Sequence, residues 1–382
     1  MPATDVRRAA TRARTHRVRP LTAASAPRSI IPYLVVPAAL ALMSVIPFLP
    51  ALEAGFVNWD DDTNFLNNPN YRGLGGAQLQ WMFSTFLMGH YIPLTWITLG
   101  LDYLVWGMNP AGYHLTNVVL HGVNVVFFFF IALRLLRASA PNHPAGASLA
   151  PILGSGFATL LFAVHPLRAE SVAWVTERRD VLSGLFYLAT VSAYLRYCDP
   201  PVRDRNRARS AQGWYWASLG LFALALLSKE MAMTLPAILL VLDAYPLRRI
   251  GGDGRWLPSR SVIIEKLPFF LLGLAAAINS LVALTHATDF SSGPDPAAAS
   301  GTAPAGVSLI DRVAISAYAL SFYLWKIAVP LGLSAAYELP PPSGFETWPA
   351  LLSGAVILLV TAGVGLGHRR WPALATVWVG TL

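Results

Sequence analysis

The sequence predicts an all-α membrane protein, a polytopic bundle of helices, and three observations carry that prediction. Hydrophobic residues make up 55% of the 382 residues and charged residues only 13%, a balance too apolar for an ordinary soluble domain. Nearly charge-free runs recur at 30–52, 112–131, 150–164, 181–197, 214–227, 231–245, 267–284 and 349–365. Arginine collects between alternate runs, as loops retained in the cytoplasm do. A helix rises about 1.5 Å per residue, so about 20 apolar residues cross a hydrocarbon core of about 30 Å, and shorter runs manage it when flanking side chains snorkel. Eight spans are expected, with a ninth beginning near Trp371.

Taken in order, residues 1–29 carry Arg7, Arg8, Arg12, Arg14, Arg17, Arg19 and Arg28 and read as a basic, disordered cytoplasmic segment ahead of a transmembrane domain over 30–382. The first run lacks a small-residue cleavage site and reads as an uncleaved anchor. A nucleic-acid arm is the weaker reading of the arginines, because they directly precede a span. The first span then delivers 55–110 to the outer side, and the second returns to Arg134 and Arg137. The same parity keeps Arg203, Arg205, Arg207 and Arg209, and then Arg248, Arg249, Arg255 and Arg260, in the cytoplasm. The stretch 92–107 is short and holds Asp102, and counting it as a span would turn every later arginine loop outward. It is therefore expected to lie as an amphipathic helix on the outer surface. By the same parity 310–329, with Lys326, is interfacial or re-entrant. Cys198 is the single cysteine, which excludes a disulfide framework and a thiol-rich metal site.

This topology gathers unusual charges on one side. The outer face receives Asp60, Asp61 and Asp62 just after the first span, His90 in the same loop, the hairpin from His165 through Glu177, Arg178, Arg179 and Asp180, and the turn Ser228-Lys229-Glu230. Charge at the membrane boundary is expensive unless paired or used, so the group as a whole reads as a site, although any single arginine is as well explained by snorkelling. His114, Asn117, His121 and Asn124 share one face of the second span. Helix-to-helix hydrogen bonding accounts for Asn124 and His121, while His114, nearest the outer end, is the ligand candidate. Two histidines seven residues apart without a placed carboxylate make a poor metal site. The acidic triplet itself fits a solvated loop, a helix cap, or oxygen ligands for a divalent cation at Asp60 and Asp61.

Four strings carry a family resemblance: FVNWDDDTNFLNNPNYRGL from Phe56, IPLTWITLGLDYLVWGMNPAGYHLTNVVLHGVN from Ile92, HPLRAESVAWVTERRDVLSGLF from His165 and SKEMAMTLPAILLVLD from Ser228. In that order and spacing the chain resembles bacterial membrane proteins with tetratricopeptide repeats, relatives of the transmembrane and tetratricopeptide-repeat O-mannosyltransferases, and through them the GT-C glycosyltransferases. The resemblance implies a GT-C-like bundle with amphipathic helices in its first outer loop. It also implies a sugar, with mannose one candidate, moved from a polyprenyl-phosphate donor to an acceptor hydroxyl of protein Ser/Thr or of a lipid. By position the paired acids of the family match Asp60 and Asp61, Asp60 being the base, while Ile92 replaces a polar residue whose part His90 or Tyr91 would take.

On that reading Asp60 accepts the acceptor's proton, and the leaving phosphate calls for fixed cations from Arg178, Arg179 and Lys229, with His165 and His114 donating hydrogen bonds. Asp180 and Glu230 pair and orient those cations. The end of the chain resembles the start of a family span that continues into further helices and repeats, so the transmembrane domain reads as truncated. The rival classes are a transporter, whose paired charges belong near mid-membrane, and a scaffold that presents repeats without chemistry.

Overall fold

The computed structural model describes residues 31–139, 149–199, 205–250, 258–287, 308–334, 337, 347–368 and 370–381. The basic segment 1–29, Arg203 and Arg255 lie outside the described residues. Among the described residues every regular element is helical, and the expected runs all fall within helices.

The first run forms α1 (Ile31–Val45), which tightens into a 3₁₀ segment at Ile46–Glu53. Pro47 and Pro50 lack the N–H that an α-helical ladder needs there. In the first loop, α2 (Gly76–Ser84) and α3 (Pro93–Trp106) follow a single π-helical turn at Asp62–Leu66. α3 starts on proline, where no N–H is missed, and stops at Gly107 with φ 59°, the left-handed geometry glycine tolerates. Phe65, Tyr71, Met82, Trp96 and Leu99 pack into a core of their own, so the loop is a folded cap. Gly100 makes this packing possible: a Cβ there would stand 2.8 Å from the Gly73 carbonyl. α3 turns Leu101, Leu104 and Val105 outward while burying Asp102. A helix is present where one was expected, and the charge that argued against a span is sequestered inside.

α4 (Pro110–Ser139) is the longest helix, about 45 Å at the usual rise. α5 (Ala150–Val164) breaks at His165-Pro166 and continues as α6 (Ala169–Ala173), bent by 53°. α7 (Arg178–Tyr197), α8 (Arg205–Ser228), α9 (Leu235–Ala244) and α10 (Arg260–Ala287) complete the central bundle. α11 (Leu309–Ala328) opens on a reciprocal Ser308–Asp311 capping box, and α12 (Trp348–Gly367) and α13 (Pro372–Thr381) close the described chain. Four helical segments, Ile31–Glu53, Pro110–Ser139, Arg260–His286 and Trp348–Gly367, are long and apolar enough to cross a membrane, and the bent α5–α6 pair makes a fifth. That is fewer than the eight runs suggested. α7 opens on Arg178-Arg179-Asp180 and α9 has 10 residues, so length and hydropathy alone do not single them out. The chain is a multi-pass membrane protein.

Contacts between helix ends show the bundle alternating up and down. At one end Arg137 donates to the Tyr33 hydroxyl (2.8 Å), Arg134 donates to the Leu195 carbonyl, and Lys266 and Arg249 reach Asp243 (2.7 and 3.1 Å). At the other, Asn117 donates to the Trp174 carbonyl (3.1 Å), Thr95 to the Ser228 carbonyl (2.9 Å), and Phe86 stacks on His286. The main apolar core lies between these ends, where Tyr194, Leu195, Phe222, Leu235, Leu239 and Phe269 from α7 to α10 interlock. The polar stripe of α4 holds helices together: His121 meets the Ala163 carbonyl at 2.9 Å and Asn124 donates to the Val181 carbonyl at 2.8 Å.

Candidate active site

Three chain segments far apart in sequence deliver ionisable groups to the same end of the bundle. The first is the loop after α1, the second the turn between α6 and α7, and the third the turn between α8 and α9. Glu177 joins the last two. Its Oε1 accepts from Arg179 Nε and Nη2 at 3.0 and 2.5 Å, and its Oε2 accepts from Lys229 Nζ at 3.0 Å. Asp180 also takes a hydrogen bond from Lys229, and its second oxygen accepts from Ser171 at 2.8 Å. Burial would raise the Glu177 carboxyl, but the hydrogen bonds and charges of Arg179 and Lys229 outweigh it and hold the group at about 2. Glu177 is thus a permanent anion that fixes two cations from different helices. Arg179 keeps Nη1 free of hydrogen bonds among the described residues.

Asp60 and Asp61 are neighbours in sequence with opposite surroundings. Asp61 is fully buried, and its oxygens accept from the Val57 N–H (2.8 Å), Trp174 Nε1 (2.9 Å), the Thr176 hydroxyl (2.6 Å) and the Thr176 N–H (3.3 Å). It ties the first loop to the hairpin. Asp60 is half-buried and makes no hydrogen bond or ion pair among the described residues. Its carboxyl is raised above 3.8, first by burial, with Glu177 and Asp61 adding to the rise and Arg179 and His90 opposing it. Asp62 is used locally, by the N–H and hydroxyl of Thr63.

Arg178 departs from the sequence expectation that it joins Arg179. It is wholly buried and donates to Asp102 (2.6 Å), the Tyr113 carbonyl (2.9 Å) and Asn117. Successive residues at the start of a helix point about 100° apart, so only one of the pair faces the acids. Arg178 is a clamp between α3, α4 and α7. His165 likewise does not join the cations. Its Nε2 meets the Ile327 carbonyl at 3.0 Å, and its Nδ1 accepts from the Leu167 N–H at 3.3 Å. His90 Nδ1 meets Glu230 Oε1 at 2.8 Å, which draws the first loop to the third segment and, despite burial, lowers the Glu230 carboxyl. His114 is buried, with neither ring nitrogen in a well-formed hydrogen bond.

Two of the cavities that border this end flank the hairpin. One of about 680 Å³ lies between Trp59, Glu170, Trp174 and the aromatic face of α11. The other, of about 660 Å³, runs along Phe48, Pro50 and Ala51 to His114, with His165 at its edge. Val57, Pro166, Ala169 and Trp174 belong to both walls. Among the described residues no group of three or more His, Cys, Asp or Glu side chains is arranged to hold a metal ion. Asp61, half of the cation pair weighed from the sequence, is saturated by protein donors.

The chain is 29% identical over 227 residues to Protein O-mannosyl-transferase TMTC4 of Mus musculus, a match covering 56% of this chain and 30% of that protein. It is 34% identical over 205 residues to Protein O-mannosyl-transferase Tmtc1 of Drosophila melanogaster, covering 52% and 21%. With Protein O-mannosyl-transferase tmtc2 of Xenopus laevis it shares 32% identity over 162 residues, covering 42% and 17%. This chain is related to the TMTC protein O-mannosyl-transferases. It spans less than a third of the length of each of these relatives. No protein-family model matches it, and no solved structure does.

In this TMTC relative the sequence pointed to Asp60, Arg179, Lys229, His90, Asp180 and Glu230, and these gather at one end. It missed the part played by Glu177, which reads as one more boundary charge until its two partners are known. It also missed Asp102 as the partner of Arg178, since 76 residues separate them. The available signal was a lone acid within an otherwise apolar helix, which at membrane depth demands a counter-ion.

Proposed function

We propose that this end of the bundle is the centre of an inverting, GT-C-type glycosyltransferase. It moves a sugar from a polyprenyl-phosphate donor to an acceptor hydroxyl, of protein Ser/Thr, on the extracytoplasmic side of the membrane. The observation that carries the reading is Asp60: a half-buried carboxylate without a hydrogen bond, within electrostatic reach of Arg179, beside a fixed Arg179–Glu177–Lys229 unit. Asp60 accepts the proton of the acceptor hydroxyl as that oxygen bonds to the anomeric carbon. The bond from that carbon to the phosphate oxygen breaks, and the polyprenyl phosphate leaves with the electron pair. A carboxyl raised by burial is the stronger base for this step, and Arg179 and Lys229 oppose the charge developing on the phosphate.

The names of the relatives support sugar transfer to protein. The arginines Arg134, Arg137, Arg196 and Arg249, at the opposite end of the bundle, support the sidedness. Ion pairs gathered at the helix ends, with His121 and Asn124 of the α4 stripe taken up in helix-to-helix hydrogen bonds, fit this reading better than transport. The test is Asp60→Asn in the full-length protein, assayed for mannose transfer from polyprenyl-phosphate mannose in membranes. Transfer falls by about 10² to 10⁴ if Asp60 is the base. Transfer at the wild-type rate would remove Asp60 from the mechanism, and inert wild-type protein would leave a scaffold.

A further inference from the structure

The 680 Å³ cavity has a composition that the transfer step does not account for. Its walls are aromatic, with Trp59 and Trp174 on one side and Tyr318, Phe322 and Tyr323 of α11 on the other, and among its described lining residues Glu170 alone carries a charge. That carboxylate makes no hydrogen bond or ion pair among the described residues. Its charged neighbours are Glu177, Asp180, Lys229 and Arg179, and those four already satisfy one another. Around the cavity and the base, six carboxylates, Asp60, Asp61, Glu170, Glu177, Asp180 and Glu230, gather against three cations, Arg168, Arg179 and Lys229, with His90 on Glu230. A phosphate-bearing donor deepens this deficit of positive charge. A cationic second ligand reduces it.

Aromatic faces around a lone carboxylate suit a lysine or arginine side chain, whose stem packs on rings and whose head takes both the carboxylate and cation–π contact. They do not suit a hydrated divalent ion, which requires several oxygens. Trp59 adjoins Asp60, so their Cα atoms lie about 3.8 Å apart and a group in the cavity is close to one at the base. We propose that the cavity receives a lysine or arginine side chain of the acceptor polypeptide, one or two residues from the acceptor hydroxyl, with its charge on Glu170 and its stem against Trp59, Trp174 and Tyr323. This rests on the reading of the site as a transferase centre, and it makes the cavity the determinant of acceptor sequence.

The test uses full-length protein in lipid nanodiscs with serine and threonine peptides that differ only in a flanking lysine, norleucine or glutamate. The lysine peptide should show a KM roughly five- to tenfold below the norleucine peptide. Glu170→Gln should bring that ratio close to one, and Glu170→Arg should invert it in favour of the glutamate peptide. Binding of the same peptides, followed by quenching of tryptophan fluorescence, is measured without donor, so it reports on the cavity even if no sugar is transferred. Loss of transfer with charge-selective binding intact would sink the transferase reading and spare the cavity's preference for cations. No preference for lysine in the wild type, or the same preference in Glu170→Gln, overturns the proposal. So does Mn²⁺ binding, seen by electron paramagnetic resonance, that Glu170→Gln abolishes while peptide charge has no effect.

Discussion

Replacing Asp61 by alanine separates the two neighbouring acids by what they do. The substitution removes the acceptor of three N–H donors, those of Val57, Trp174 and Thr176, and of the Thr176 hydroxyl. An unsatisfied buried donor costs about 1–3 kcal/mol. The Thr176 N–H contact is long at 3.3 Å, and Val57 is exposed enough for water to replace its bond, so the expected loss is about 3–5 kcal/mol and not the full sum. Asp61→Asn keeps one acceptor oxygen but turns an NH₂ towards a donor, for about 1–2 kcal/mol. Asp60→Asn removes no hydrogen bond, and the attraction it loses to Arg179 and His90 offsets the repulsion it relieves from Glu177 and Asp61, so stability should stay within about 0.5 kcal/mol of wild type. The assay is reversible denaturation in mixed micelles followed by tryptophan fluorescence, since Trp59 and Trp174 report on this junction, together with limited proteolysis of the first loop. Asp61→Ala as stable as wild type, or Asp60→Asn destabilised to the same extent as Asp61→Ala, would refute the division into anchor and base.

Other outcomes follow from the same geometry. Arg178→Ala leaves Asp102 buried without its counter-ion and should cost about 3–5 kcal/mol, whereas Arg178→Met with Asp102→Leu should recover most of that; equal losses in denaturation experiments would contradict the clamp. The Glu177 carboxyl is depressed in the folded state, so its stabilisation is complete above about pH 4.5 and drains away as pH falls towards about 2. Glu177→Gln should flatten the stability–pH curve in that window. The acid limb of the transfer rate, in which protonation of Asp60 removes the base, should lie above pH 3.8 because burial raises that carboxyl; a limb at or below 3.8 would count against Asp60. At the opposite end the Tyr194 hydroxyl lies within hydrogen-bond distance of Asp243 and Glu265, to one of which it donates its single proton, and accepts from Arg249 and Lys266, so Tyr194→Phe should lower thermal stability by about 1–3 kcal/mol without altering peptide selectivity.

Composition and arginine placement carried the helical membrane fold a long way, because burying apolar helices and keeping arginine on one side are requirements on whole segments. They were sufficient to bring Asp60, Arg179 and Lys229 to one end. What they could not supply was the direction of individual side chains. Arg178 and Arg179 look alike in sequence, and only the packing of α7 on α4 decides that one is enclosed and the other faces the acids. Asp60 and Asp61 look alike too, and the donors that saturate Asp61 come from Trp174 and Thr176, more than a hundred residues away. Length and hydropathy single out fewer spanning helices than the eight runs for a related reason: α7 and α9 owe their place to neighbours as much as to their own composition.

The bridging position of Glu177 limits how this end of the chain can change over generations. A guanidinium from its own helix and an ammonium from another hang on a single carboxylate, so losing Glu177 leaves Arg179 without a hydrogen-bonded counter-ion among the described residues and Lys229 with Asp180 alone. Drift at residues 177, 179 and 229 is therefore expected to be concerted, and a lineage that replaces one should have replaced the others.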